Sequence, residues 1–166
     1  LITKRKNISN NKIITGITST KNDTKLTLVG VKDRPGVAAS IFKPLSQNYI
    51  NIDMVVQTSS GDKKETDITF TIKSDDLSKT LRLVKQNKKI KYRDLIVNKN
   101  VSKVSIIGVG MITTPGVTYR MFQTLANKGI NILVISTSEI KISVLINKKN
   151  LKKAVYALHK EFGLNL

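Results

Sequence analysis

The chain has 166 residues, enough for one domain or two small ones and too few for a large multidomain enzyme. Its 29 Lys and Arg against 11 Asp and Glu leave a net charge of +18, which points first to nucleic acid or an anionic membrane. The lack of Cys excludes disulfides and thiolate metal sites, the single His159 excludes a histidine metal cluster, and no apolar run approaches the roughly 20 residues of a membrane span.

Leu1 to Asn11 form a basic segment with no apolar region behind it, so they are not a signal peptide. The first residue is Leu rather than Met, as expected of a piece of something longer. Residues 12–19 look like a strand without an obvious partner. Lys25 to Val31 is a β-rich apolar run ended by Asp33-Arg34-Pro35-Gly36. Val37, Ala38, Ile41, Phe42 and Leu45 recur at helical spacing, and Pro44 inside that helix predicts a kink. Ile50 to Gln57 reads as a strand, Thr58 to Lys64 as a turn, and the alternating Asp67 to Ile72 as a half-buried strand. Leu77, Leu81 and Val84 mark a second helix capped by Asp75 or Asp76, and Ile90 to Val97 a fourth strand. Further strands fall at about 103–109, 130–137 and 140–146. The helices among them carry Val117, Met121, Phe122 and Leu125, then Leu151, Ala154, Val155, Leu158 and Phe162.

These elements are two copies of one unit. Leu26 to Gly30 matches Val104 to Gly108. At a constant offset of 80, Pro35-Gly36-Val37 matches Pro115-Gly116-Val117, and Ile50-Asn51-Ile52 matches Ile130-Asn131-Ile132. Each copy reads strand, helix, strand, strand, helix, and the first adds a fourth strand; this is the βαββαβ order of the split βαβ or ferredoxin-like arrangement, so the expected class is α+β with two such domains in tandem. The second copy ends on its last helix and lacks a fourth strand. Because an open edge is a liability, strand 12–19 is expected to complete its sheet. The domains are then 25–98, and 12–19 plus 102–166.

The charge is less informative than it looks. It comes from 24 Lys and only 5 Arg, alongside 21 Ile and 14 Asn, a bias that an AT-rich genome produces through its codons. The clusters Lys79 to Arg93 and Lys148 to Lys153 lie on predicted helices and their ends, where a solvated charged face is ordinary. A basic ferredoxin-like RNA-binding domain remains the rival reading. Its mechanism needs exposed aromatics on the central strands, and the first strand has none, the third only Phe70. Catalysis is poorly supplied: His159 has no nucleophile motif to serve, and no GxxxxGK[ST] or GxGxxG occurs.

What repeats is a loop-to-helix junction, Asp33-Arg34-Pro35-Gly36-Val37-Ala38 and Thr113-Thr114-Pro115-Gly116-Val117-Thr118. A helix N-terminus offers N–H groups and partial positive charge to a carboxylate, and Gly admits close approach. Asn51-Ile52-Asp53 and Asn131-Ile132 bring amide and carboxylate groups suited to an ammonium or hydroxyl. Together they describe an amino-acid site. The same spacing is met by a Pro-Gly that only turns the chain and an Asn that starts a strand.

Three runs in the first copy resemble the first ACT domain of aspartate kinases: the Asp33-Arg34-Pro35-Gly36 loop, Ile50 to Gln57, and Thr66-Asp67-Ile68-Thr69-Phe70-Thr71. Val104 to Met111, Ile135-Ser136-Thr137-Ser138-Glu139-Ile140 and Ala157-Leu158-His159 resemble the second. The resemblance covers residues 12–166, and Leu1-Ile2 resembles the end of a kinase domain. It implies a cytoplasmic feedback sensor binding L-lysine and/or L-threonine. The parent enzyme would phosphorylate L-aspartate with ATP in lysine, threonine and methionine biosynthesis. Its catalytic residues, ATP and Mg would belong to a kinase domain upstream, so this chain needs no cofactor of its own.

By motif, one effector site would use Asp33, Pro35, Gly36, Val37, Ala38 and Gln57 with Asn131 and Ile132. Its counterpart would use Val117 and Thr118 with Asn51, Ile52 and Asp53, plus Ser138 and Glu139. Both would straddle the two copies, and a homodimer through the ACT domains is implied. The loop Ile112-Thr113-Thr114 departs from the basic residue, Ser and His commoner in the family, and Thr58 from the usual Asn. A free-standing ACT regulatory subunit is the remaining alternative.

Overall fold

The computed structural model describes residues 14–59, 64–109 and 115–164. In chain order the elements are β1 (Ile14–Ser19), β2 (Asp23–Lys32), α1 (Val37–Gln47), β3 (Val55–Ser59), β4 (Glu65–Lys73), α2 (Leu77–Gln86), β5 (Asp94–Gly108), α3 (Val117–Asn127), β6 (Ile132–Thr137), β7 (Lys141–Asn147) and α4 (Leu151–Glu161). They divide into two compact units, one of residues 22–100 and one combining the chain up to Lys21 with the part from Val101. The basic segment 1–11, the tip of the 58–64 turn and the loop 110–114 fall wholly or partly outside the described residues.

In the unit of residues 22–100 the strand order is β3-β4-β2 followed by the start of β5. Leu26 pairs with Phe70 and Leu28 with Ile68, so the alternating apolar residues of β2 and β4 share one face. Val37, Ile41 and Leu45 of α1 and Leu77 and Val84 of α2 cover that face. Phe42 meets Phe70 edge to face, with centroids 5.2 Å apart. At Gly30 the ladder bulges. Its φ of 67° suits Gly, its N–H donates to Asp67 Oδ1 at 2.9 Å, and a Cβ there would collide with Arg93 Nε.

The other unit has the order β6-β7-β5-β1, using the second part of β5. Strand β1 pairs antiparallel with it, Ile17 opposite Ile106 and Ser19 opposite Val104. The N-terminal strand thus completes the second sheet, from more than 80 residues away in sequence. Ile14, 1% exposed, enters a core with Val104, Ile106, Met121, Leu125, Val144 and Leu158. Both units are α+β with four antiparallel strands and two helices on one face.

Several local expectations need correcting. Ile90 to Val97 and 103–109 are not two strands: β5 is one 15-residue strand, and the polar Asn98-Lys99-Asn100 continues it. Ile90 instead drops into the core from a turn. Asn51 to Asp53 precede β3 rather than begin it, because Thr71 takes Asp53 N–H and its Oγ1 takes Met54 N–H in an irregular pairing. Asp76 stands at the α2 N-cap but makes no side-chain cap bond; its carbonyl accepts Thr80 Oγ1 at 2.8 Å. Pro44 lies inside helix α1, as expected from the sequence. Proline leaves the Ser40 carbonyl without its i+4 donor, and Asn87 Nδ2 supplies one at 2.9 Å.

Candidate functional site

The first junction is built by backbone bonds. Where β2 ends, Asp33 N–H donates to the Lys64 carbonyl at 2.8 Å. Val37 N–H returns to the Arg34 carbonyl at 3.1 Å, which closes the Pro35-Gly36 turn. Gly36 is the α1 N-cap with φ 85°, a left-handed conformation that other residues avoid. Its carbonyl accepts both Ser40 N–H (2.9 Å) and Ser40 Oγ (3.0 Å). Buried Val37 anchors the helix start. The N–H groups of Ala38 and Ala39 fall in the first turn, where a helix supplies no carbonyl of its own.

Gln57 comes from β3, twenty residues further along the chain. Together Asp33, Arg34, Pro35, Gly36, Val37, Ala38 and Gln57 line one shallow cavity of about 450 Å³. A Cβ built on Gly36 meets nothing within 4 Å, so the turn opens onto free space. The cavity therefore offers helix N–H donors, one carboxylate, one amide and one guanidinium around an apolar wall of Pro35, Val37 and Ala38. That set matches a zwitterion: donors for a carboxylate, Asp33 and the Gln57 carbonyl for an ammonium.

The second junction repeats the geometry. Gly116 is the α3 N-cap with φ 90°, and Arg120 N–H bonds its carbonyl at 2.9 Å, as Ser40 does in the first copy. Val117 is buried and Thr118 exposed. Thr113 and Thr114 lie outside the described residues.

Ser138 and Glu139 are exposed in the β6–β7 turn. Ser138 N–H donates to the Lys141 carbonyl at 2.8 Å, and Ile140 carbonyl accepts Gly108 N–H, which holds this turn against the end of β5. Asn51, Ile52 and Asp53 follow the C-terminal end of α1, and Asn131 and Ile132 that of α3. Eleven helical residues span about 16 Å. Within each unit the junction residues and the Asn-Ile residues therefore stand at opposite ends of the first helix, and no unit assembles both groups by itself.

A profile of the ACT domain matches residues 26–87 and again 104–162, one match per unit. The aspartokinase of Pseudomonas aeruginosa is 47% identical over 154 residues, 92% of this chain. The ligand-free regulatory subunit of aspartate kinase from Thermus thermophilus superposes with a TM-score of 0.83 at 35% identity, covering 91% of this chain and 99% of that one. The chain belongs to the aspartate kinase family, as a tandem ACT regulatory region.

It spans 37% of the length of the Pseudomonas protein. Escherichia coli aspartokinase III, solved in complex with lysine and aspartate, shares the fold at a TM-score of 0.68 over 90% of this chain and 33% of that one. At 21% identity the likeness is one of fold alone.

One residue of this ACT region was missed as a site residue although it stood inside the motif. Arg34 lines the cavity, and its Nη2 donates to the Lys89 carbonyl at 2.8 Å, across 55 residues. Only its place between Asp33 and Pro35 signalled it. The bond that orients it comes from the α2–β5 turn, which no local pattern connects to this loop.

Proposed function

We propose that this tandem ACT region senses L-lysine and/or L-threonine and transmits feedback inhibition to an aspartate kinase catalytic domain. The observation that carries the reading is the convergence of Asp33, Pro35, Gly36, Val37, Ala38 and Gln57 on one cavity at a helix N-terminus. The effector carboxylate is received by first-turn N–H groups, its ammonium by Asp33 and Gln57. Asn131 and Ile132 complete this site as the resemblance implies. Val117 and Thr118, with Asn51, Ile52, Asp53, Ser138 and Glu139, form its counterpart. Lysine in complex with the E. coli enzyme supports the choice of effector at the level of fold.

In this proposal the parent enzyme phosphorylates L-aspartate with ATP, and the region works as a homodimer. An effector that binds one quaternary arrangement better than another shifts the population toward it, and that difference in affinity is what reaches the kinase.

Calorimetry with L-lysine and L-threonine tests the reading. One of them gives saturable heat and raises the melting temperature; an effector at 100 times its Kd stabilises by about 2.7 kcal/mol. No heat and no melting shift with either amino acid defeats it.

A further inference from the structure

We propose that the unit of residues 22–100 carries a second ligand site, for an oligophosphate, beside the effector cavity. A small cavity of about 180 Å³ lies where the end of β2 meets the turn between α2 and β5. Lys32, Arg34, Lys88, Lys89 and Lys91 line it, over a floor of buried Val37 and Ile90. It contains no carboxylate among its lining residues.

The convergence is built rather than incidental. Lys32 N–H bonds the Lys91 carbonyl at 3.3 Å, and Arg34 Nη2 bonds the Lys89 carbonyl at 2.8 Å, so backbone geometry holds the two cationic segments together. Among the described residues none of the five cations has a carboxylate within ion-pair distance. Glu65, opposite Lys32 across the sheet, is engaged by Arg93 at 3.2 Å, and Asp33 lines the neighbouring effector cavity. Five like charges around one cavity repel each other, and a multiply charged anion relieves that repulsion.

The chemistry selects phosphate. Lys ammonium groups act as point charges for phosphate oxygens, and the Arg guanidinium adds a planar two-pronged donor. The volume equals that of about six waters, which suits a short phosphate chain. No aromatic side chain lines the cavity, so base stacking is not available to hold single-stranded RNA. Arg34 and Val37 line this cavity and the effector cavity alike, although the phosphate site does not depend on the effector assignment.

Titrating the 166-residue chain with sodium tripolyphosphate at about 150 mM salt tests the proposal. The expected result is saturable one-to-one binding. Lys89→Gln/Lys91→Gln weakens it by about tenfold or more, the scale of two lost charge-assisted contacts. Lys152→Gln/Lys153→Gln, which removes the same charge from exposed positions on α4, leaves it unchanged. Circular dichroism of both variants checks that each is folded. Equal affinity for ATP assigns the site to the phosphate chain alone; tighter ATP binding assigns it to a nucleotide, and either supports the site. Equal weakening by the two double variants, non-saturating binding, or affinity that grows with the length of an RNA oligonucleotide overturns it.

Discussion

Replacing Gly36 by Asp, with Gly36→Asn beside it, separates the backbone demand of the first junction from its charge. The backbone demand comes from φ 85° at the helix N-cap. A Cβ there meets no atom within 4 Å, so neither substitution clashes. Asn and Asp are the residues that best tolerate this conformation. Each should cost about 1 kcal/mol or less, a fall in Tm of about 2–4 °C for a chain of this size.

Binding should split the two variants. The Asp carboxylate would lie about 4 Å from the carboxylate of an amino acid held on the same helix turn, a repulsion of about 1 kcal/mol in water and about 4 kcal/mol at a partly buried surface. Gly36 is exposed, so the lower part of that range applies, about 1–2 kcal/mol or roughly 5–30-fold in Kd. Calorimetry against the effector that binds the parent chain reads the difference. If Asn weakens binding as much as Asp, or Asp binds like the parent, the placement of the effector carboxylate at this helix start is refuted.

The repeat supplies a second test: Tyr49 holds φ 59° where the matching position is Gly129 with φ 68°. Since Tyr49 is 92% exposed and contributes little burial, Tyr49→Gly should stabilise its unit by up to about 1 kcal/mol and Gly129→Ala should destabilise its own by about 1–2, both read by urea unfolding. Removing the Asn87 donor with Asn87→Ala should cost about 1 kcal/mol by leaving the Ser40 carbonyl unmet, and Pro44→Ala should recover it by restoring the helical N–H; a double-mutant cycle that shows no coupling refutes the link. Ile14→Ala should lower the stability of the unit containing Val101 to Leu164 by about 2–5 kcal/mol in thermal unfolding, although the other buried residues of its core begin only at Val104; a loss below 1 kcal/mol would mean that strand β1 is not part of that core.

Much of this protein was legible without coordinates, for reasons that are short-range. Helical spacing in Val37, Ile41 and Leu45 and alternation in Asp67 to Ile72 reflect which face each element must bury, and the neighbouring residues alone state it. Internal repetition doubled the signal: Pro35-Gly36-Val37 and Pro115-Gly116-Val117 each open a helix after a left-handed Gly. Even the lent strand followed from counting, because one copy had an open edge and one strand had no partner. The Asp33 to Ala38 junction was legible as a possible site for the same reason, since donors at a helix start are a local property.

What the sequence could not state depends on register and packing between distant segments. Gln57 joined the Gly36 group only through the family resemblance; what brings it to that cavity is the pairing of β3 with β4, and of β4 with β2, which sets its height along the sheet. Ile90 to Val97 and 103–109 read as separate strands because the polar residues between them end strands locally, yet β5 continues through Asn98 to Asn100. The +18 charge is where the two levels part most clearly. Composition explained it as a Lys-rich background, whereas the fold draws Lys32 and Arg34 to Lys88, Lys89 and Lys91 by two backbone-directed hydrogen bonds. A sequence counts charges; only tertiary structure decides which of them share a cavity, because that distance is fixed by chain folding and not by spacing along the chain.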